Sequence, residues 1–176
     1  MKTAAAPEFS RFVKLDELDD GDVHRPIEAG EQERLALASR FDLIGIDALA
    51  ADVRVRRVPG GVLVRVEGQL RADIVQRCVV TLEPAPAHVE EEFHETFGPD
   101  GYRPPDGDED AELTGIFDEG GLDIGELVAQ LLYLSLDPYP RAPGAEPMRD
   151  IAETETAEDR RKPFAGLGKM MQKRRK

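Results

Sequence analysis

The sequence predicts an α+β fold: an antiparallel sheet of about five or six strands, one long amphipathic helix packed on it, and a flexible basic C-terminal tail. Three observations predict this. Apolar and polar residues alternate over 62–74. A helical apolar pattern with capping signals occupies 123–136. Acidic and basic side chains are segregated along the chain.

The first strand is expected within 8–18 (EFSRFVKLDEL), on Phe12, Val13 and Leu15. Residues 30–41 (GEQERLALASRF) predict a helix, with Glu31 and Glu33 suited to its N-terminus. Leu37 and Phe41, with Ala38 beside them, give it a narrow apolar stripe. Val53 and Val55 then alternate with Arg54 and Arg56, and Pro59-Gly60-Gly61 makes a turn. After the turn, Val62, Val64, Val66, Leu70, Ala72 and Ile74 take the even positions. A strand with one buried and one wet face needs that alternation. Gly68, which interrupts the apolar face, marks a predicted bulge.

Residues 78–82 (CVVTL) predict a further short strand, punctuated by Pro84 and Pro86. Val89, Phe93 and Phe97 fit both strand and helix spacing, and a meander of neighbouring hairpins favours strand for 87–97. Residues 98–121 are expected to be an acidic flexible loop, because too little apolar surface is present to offset the entropy of ordering. At 123–136 (DIGELVAQLLYLSL) Asp123 caps a helix and Glu126 stands in capping-box spacing. Ile124, Leu127, Val128, Leu131, Leu134 and Ser135 follow one side. Leu132, Tyr133 and Leu136 widen it, so the helix is expected to be largely buried on the sheet. Pro138 and Pro140 end it.

A chain of 176 residues and 19.4 kDa suits one domain with an extension. The predicted division is a single α+β domain at 1–141, an acidic linker at 142–159 and a basic tail at 160–176. Arg160, Arg161, Lys162, Lys169, Lys173, Arg174, Arg175 and Lys176 give the tail eight basic and no acidic side chains. The other 159 residues hold 36 acidic and 15 basic groups, a net of −21 that the tail reduces to −13. The whole-chain pI of 4.7 hides this asymmetry, which points to a polyanionic partner for the tail. On the sheet, Arg54, Arg56, Arg65 and Arg71 are candidates for a basic stripe on one wet face. Cross-strand pairing with Glu67 and Asp73 is the competing expectation.

Several chemistries lack their residues. With Cys78 as the single Cys and His24, His88 and His94 as the histidines, no paired zinc-ligand spacing exists, and no metal or cofactor is expected. Asp106, Asp108, Asp110 and Glu112 alternate as in a calcium loop. But Ala111 stands where its Gly is needed and Phe117 where its bidentate Glu is needed. Cys78 reads as a small buried hydrophobe. No phosphate loop, nucleophile elbow or dinucleotide fingerprint occurs. No catalytic residues are assigned, and no enzyme is expected. No run of about 18 apolar residues predicts a membrane span, and the expected compartment is the cytosol.

The strings RADIVQRCVVTLEP, LDIGELVAQLLYLSLDPYPRAPG and RRKPFAGLGKM, in that order, resemble the large ribosomal RNA subunit accumulation protein family, also called domain of unknown function 177. The matching positions are Arg77 and Cys78; Asp123, Glu126 and Leu127; Pro138, Tyr139 and Pro140; and Pro163, Phe164, Ala165 and Leu167. The family pattern has Cys-x-x-Cys near the third strand; here Cys78 matches the second Cys and Val75 stands at the first. Some members carry Cys residues after the long helix, where this chain has none from Asp137 to Asp150. The resemblance implies a non-enzymatic bacterial factor in ribosome biogenesis that supports synthesis, processing or accumulation of large-subunit (23S) ribosomal RNA. Its expected partner is that RNA or a large-subunit precursor particle. The alternative is an acidic chaperone-like module that binds a basic ribosomal protein through the body and the loop at 106–119.

Overall fold

The computed structural model describes residues 7–60, 62–102, 113–117 and 120–145. All of them belong to one unit, Met1–Ala145. In chain order the elements are β1 (Phe12–Lys14), a 3-10 turn (Leu15–Leu18), β2 (Val23–Glu28), α1 (Glu31–Arg40), β3 (Gly45–Arg57) and β4 (Val64–Arg77). β5 (Pro84–Pro99), β6 (Gly115–Phe117), β7 (Gly121–Asp123) and α2 (Ile124–Leu134) follow. The result is mixed α+β, with a five-stranded sheet in the order β2-β3-β4-β5-β6 and a two-stranded sheet of β1 and β7.

β4 is the organising strand. Val64, Val66, Leu70, Ala72 and Ile74 are buried, and Arg71 and Asp73 between them are exposed, as the period-two pattern predicts. β3 packs its own Leu49, Ala51, Val53 and Val55 on the same face. α1, α2 and β1 supply Leu37, Ile124, Val128, Leu132 and Val13 to that one core. Each such Val, Leu or Ile removed from water contributes about 1.5–3 kcal/mol before entropy is counted.

The registers correct several expectations. Pairing runs unbroken through Gly68, and the irregularity in β3–β4 falls instead between Ile46 and Ala48. Gly68 is needed for a different reason: a Cβ there would stand 2.2 Å from the Asp52 carbonyl oxygen and 2.9 Å from the Phe93 ring. Residues 78–82 are not a strand. They form the connection between β4 and β5, closed by Cys78 N–H to Glu83 O at 2.9 Å and Leu82 N–H to Cys78 O at 3.0 Å. Leu82 takes φ 63° and is exposed, so apolar composition here does not signal burial. Pro84 and Pro86 do not end a strand either. They sit at the start of β5, on a side with no described neighbour, where a missing N–H costs no ladder bond.

Residues 87–97 are strand, as favoured. The proposed strand at 8–18 shrinks to β1, followed by the 3-10 turn, and β6 joins β5 in parallel, so the sheet is not wholly antiparallel. The stretch 98–121 contributes the end of β5, β6 and the first residue of β7; its residues 103–112 and 118–119 lie outside the described residues.

The helix at 123–136 is shorter than expected, eleven residues against ten for α1, so the described residues hold two comparable helices and not one long one. Ile124, Leu127, Val128, Ala129 and Leu132 are buried, but Tyr133 and Leu134 are exposed, because they lie on the side of the last turn away from the core that Leu132 enters. Asp123 caps it as predicted, accepting from Gly125 N–H at 3.0 Å and Glu126 N–H at 3.2 Å. Glu126 does not complete a capping box. Its carboxylate holds the Arg40 guanidinium at 2.8 and 2.9 Å, which clasps α2 to α1.

Gly68→Ala should cost about 2 kcal/mol or more, since the added methyl meets main chain and not a flexible side chain. Urea denaturation checks this; an unchanged midpoint would refute the close approach.

Candidate functional site

The helices cover one face of the large sheet, which leaves the other face to solvent. The antiparallel registers line up its side chains in cross-strand rows. Arg56 stands opposite Arg65, with Thr96 beyond. The next row is His24, Arg54, Glu67 and His94. Two residues further, Asp52, Gln69 and Glu92 align, and then Ala50, Arg71 and Glu90.

All four sheet arginines singled out from sequence therefore share the wet face, but they do not form one stripe. Arg54, Arg56 and Arg65 gather at one end. Arg71 lies six residues along β4 from Arg65, about 20 Å away at strand rise. It is bound to Glu90 at 2.8 Å, and its guanidinium holds the Glu90 carboxyl below the usual range. Arg56 pairs with Glu67 at 3.5 Å, a long contact between part-exposed groups that contributes little. Asp73 pairs with His88 at 2.7 Å and not with an arginine. Arg54 and Arg65 have no ion-pair partner among the described residues.

Around Arg54 lies a shallow hollow of about 300 Å³, walled by His24, Asp52, Glu67, Glu92 and His94. His24 contacts Asp52 at 2.5 Å across β2–β3. These acidic and histidine walls are not legible as a site in the sequence, because β2 carries Pro26 and lacks a clear apolar alternation, and only the register brings His24 beside Asp52 and Arg54. Arg54, Arg56 and Arg65 at this end can accept an anion without breaking a strong ion pair.

A second locus gathers the residues that carry the family resemblance. Gln76 Nε2 donates to the Asp137 carbonyl at 2.9 Å, and Val79 N–H donates to the Pro140 carbonyl at 2.9 Å. The segment after α2 is thereby fastened to the β4–β5 turn. Tyr139 N–H donates to Asp137 Oδ1 at 2.8 Å, which shapes the turn between Pro138 and Pro140, and the Tyr139 ring stays exposed. Cys78 is enclosed in this corner with Ala85 and Ala142. N–H groups of Val80 and Thr81 point at its sulfur from 3.4 and 3.3 Å. The Ala142 amide, then the Thr81 hydroxyl and amide, pull the thiol pKa down to about 6, against burial, which raises it.

At the start of α2, Asp123 also accepts from Arg11 N–H at 2.8 Å and Ser10 Oγ at 2.6 Å, which ties the N-terminal segment to the helix. Leu127 is core, and Arg77 is exposed at the end of β4. Asp123, Leu127, Cys78 and Pro140 thus each have a structural role.

The donor set at the Cys78 corner does not fit a closed metal site. It has one thiol, the alanines Ala85 and Ala142, and backbone N–H groups, which donate hydrogen bonds and cannot ligate a metal. Among the described residues no three His, Cys, Asp or Glu side chains converge to hold a metal ion. No helix among them is long and apolar enough to cross a membrane. The eight tail cations and Pro163, Phe164, Ala165 and Leu167 lie outside the described residues.

A thiol pKa lowered from 9.0 to about 6 on folding adds stability that is complete above 9.0 and is lost as pH falls through about 6. Stability should therefore rise with pH across that window in the native chain and stay flatter in Cys78→Ala. Denaturation at several pH values, with ultraviolet thiolate absorbance as a second readout, checks this. Parallel pH curves would contradict it.

No curated protein and no solved structure matches the chain. A family model described as large ribosomal RNA subunit accumulation protein YceD does match, over residues 66–171. The match opens in β4 and spans the Cys78 corner, β5, α2 and the segment after α2. With more than half of its length inside that match, the chain belongs to the large ribosomal RNA subunit accumulation protein YceD family.

Proposed function

We propose that this protein is a non-enzymatic factor of ribosome biogenesis that contacts large-subunit ribosomal RNA, or a precursor particle containing it, through basic side chains. The observation that carries this is the charge asymmetry: eight cations in residues 160–176 against a net of −21 elsewhere. The family's name supplies the RNA. In this proposal Arg160, Arg161, Lys162, Lys169, Lys173, Arg174, Arg175 and Lys176 make the principal phosphate contacts. The division into a domain at 1–141, an acidic linker at 142–159 and a basic tail belongs to the same proposal, as does action in the cytoplasm.

Arg54, Arg56 and Arg65 supply a second contact area on the wet face, because two of them lack ion-pair partners among the described residues and the third has a long one. Arg71, held by Glu90, contributes less. The acidic body repels RNA over most of its surface, so the contact stays confined and reversible.

Neutralised phosphates release counterions, so affinity should fall steeply with salt, with a log–log slope of roughly −0.7 to −0.9 per phosphate contacted. RNA binding by the full chain and by a chain ending at Asp159 should be compared across a salt series. The truncated chain should bind more weakly and with a shallower slope. Equal affinity or a flat response in the full chain would discard the tail contact. Arg54→Gln with Arg65→Gln should weaken binding severalfold with little change in thermal stability, since neither side chain makes a strong ion pair and no like charge is brought in.

A second reading is an acidic module that chaperones a basic ribosomal protein. It is favoured by the exposed run Glu90, Glu91 and Glu92 on β5. It predicts co-purification of a basic protein that survives nuclease treatment.

A further inference from the structure

We propose that the outer edge of β5 from His88 to His94 is a docking edge for an extended, basic segment of a partner protein, which adds to the large sheet as a further strand. The proposal rests on the second reading above and gives it a place. It is independent of RNA binding by the tail.

β5 pairs with β4 along its whole length, Pro84 to Pro99. Among the described residues, its other side pairs only at 97–99, with β6. Thr96 shows which residues face that other side: its N–H donates to Thr114 Oγ1 at 3.2 Å, and its carbonyl accepts from Thr114 N–H at 2.8 Å. Successive residues of an antiparallel strand point their N–H and C=O groups to alternate sides. His88, Glu90, Glu92 and His94 share the parity of Thr96, so their backbone groups point to the outer edge. Pro84 and Pro86 share that parity too and have no N–H to lose. The edge is therefore blunted by prolines at one end and covered by β6 at the other. Between them, no strand among the described residues pairs with it.

Side-chain charge decides what such an edge admits. Glu90 is engaged by Arg71 at 2.8 Å, while Glu91, Glu92 and Glu95 have no ion-pair partner among the described residues. Pairing with β5 of a second copy would set glutamates against glutamates, which destabilises the ladder. A polyanion is repelled for the same reason. A strand carrying Lys or Arg is attracted.

The two faces of β5 also set the pattern of the incoming strand. Glu90 and Glu92 lie on the wet face, and half-buried Val89 and buried Phe93 lie on the core side with exposed Glu91 between them. A segment alternating basic and apolar residues would place its cations beside the glutamates and extend the core over Val89. In strand addition of this kind main-chain bonds give affinity and alternate side chains give specificity.

The test uses the full chain with amide hydrogen exchange, and the probe is the peptide Lys-Val-Lys-Val-Lys-Val. The expected result is that exchange of the Glu90, Glu92 and His94 amides slows by about tenfold or more. The Val89, Glu91 and Phe93 amides, already in the β4 ladder, should be unaffected. The same peptide with its middle Val replaced by Pro should not protect the edge. Glu92→Pro removes an edge donor without removing a β4 bond, and should abolish protection. Glu92→Gln should weaken binding while keeping the pattern. Equal binding of the proline peptide, binding without edge protection, or protection of these amides by a large-subunit RNA fragment would overturn the proposal. Absence of any binding to the basic peptide would overturn the second reading with it. Binding elsewhere on the chain would overturn the edge alone.

Discussion

One-sided burial of β4 is the constraint on which the other features depend. Val64, Val66, Leu70, Ala72 and Ile74 leave water together, which obliges Arg65, Glu67, Arg71 and Asp73 to share the opposite face. A slip of one residue in register would exchange the two sets, so the core and the charged face are fixed by the same pairing. Both helices and the small β1–β7 sheet then pack on the apolar side. The wet side is left free to carry function.

Charge on that free side is sorted along the strands. Arg54, Arg56 and Arg65 collect at one end, and Glu90 and Glu92 line β5 further along. Short cross-strand contacts such as Arg71–Glu90 are exposed and screened, so they organise side chains more than they stabilise the fold. Stability comes from the core and from partly buried clasps. Arg11 grips Glu33 at 2.7 and 2.9 Å, and Arg40 grips Glu126; both are bidentate and both hold the carboxyl below its ordinary pKa. These clasps join the N-terminal segment, α1 and α2 along the polar sides of both helices.

The legible parts of the sequence are those where one local rule dominates. Alternation over 62–74 predicts β4 and its buried face, and Asp123 predicts the start of α2, because periodicity and capping act within a few residues. Where rules compete, tertiary context decides. Cys78 to Leu82 is apolar enough for a strand, yet a left-handed Leu82 and the Cys78–Glu83 closure make it a turn. Gly68 looks like a bulge but marks a close backbone approach between strands. β2, interrupted by Pro26, is stable only as an edge partner of β3. Two of the shared family positions, Cys78 and Pro140, stand 62 residues apart in sequence, and only the fold brings their segments together. The arginine cluster was legible as composition and face. Its division into unpaired and paired members depended on the register with β5.

The family assignment, the tail and the one-faced sheet support the proposed account, in which localised basic elements on an acidic chain contact large-subunit ribosomal RNA. Crosslinking in cells, followed by sequencing of the bound RNA, tests this most directly when the full chain is compared with one lacking residues 160–176. The account predicts recovery of a defined large-subunit segment with the full chain and its loss with the shortened one. Recovery of no large-subunit RNA above background, or of the same segment from both chains, would contradict it.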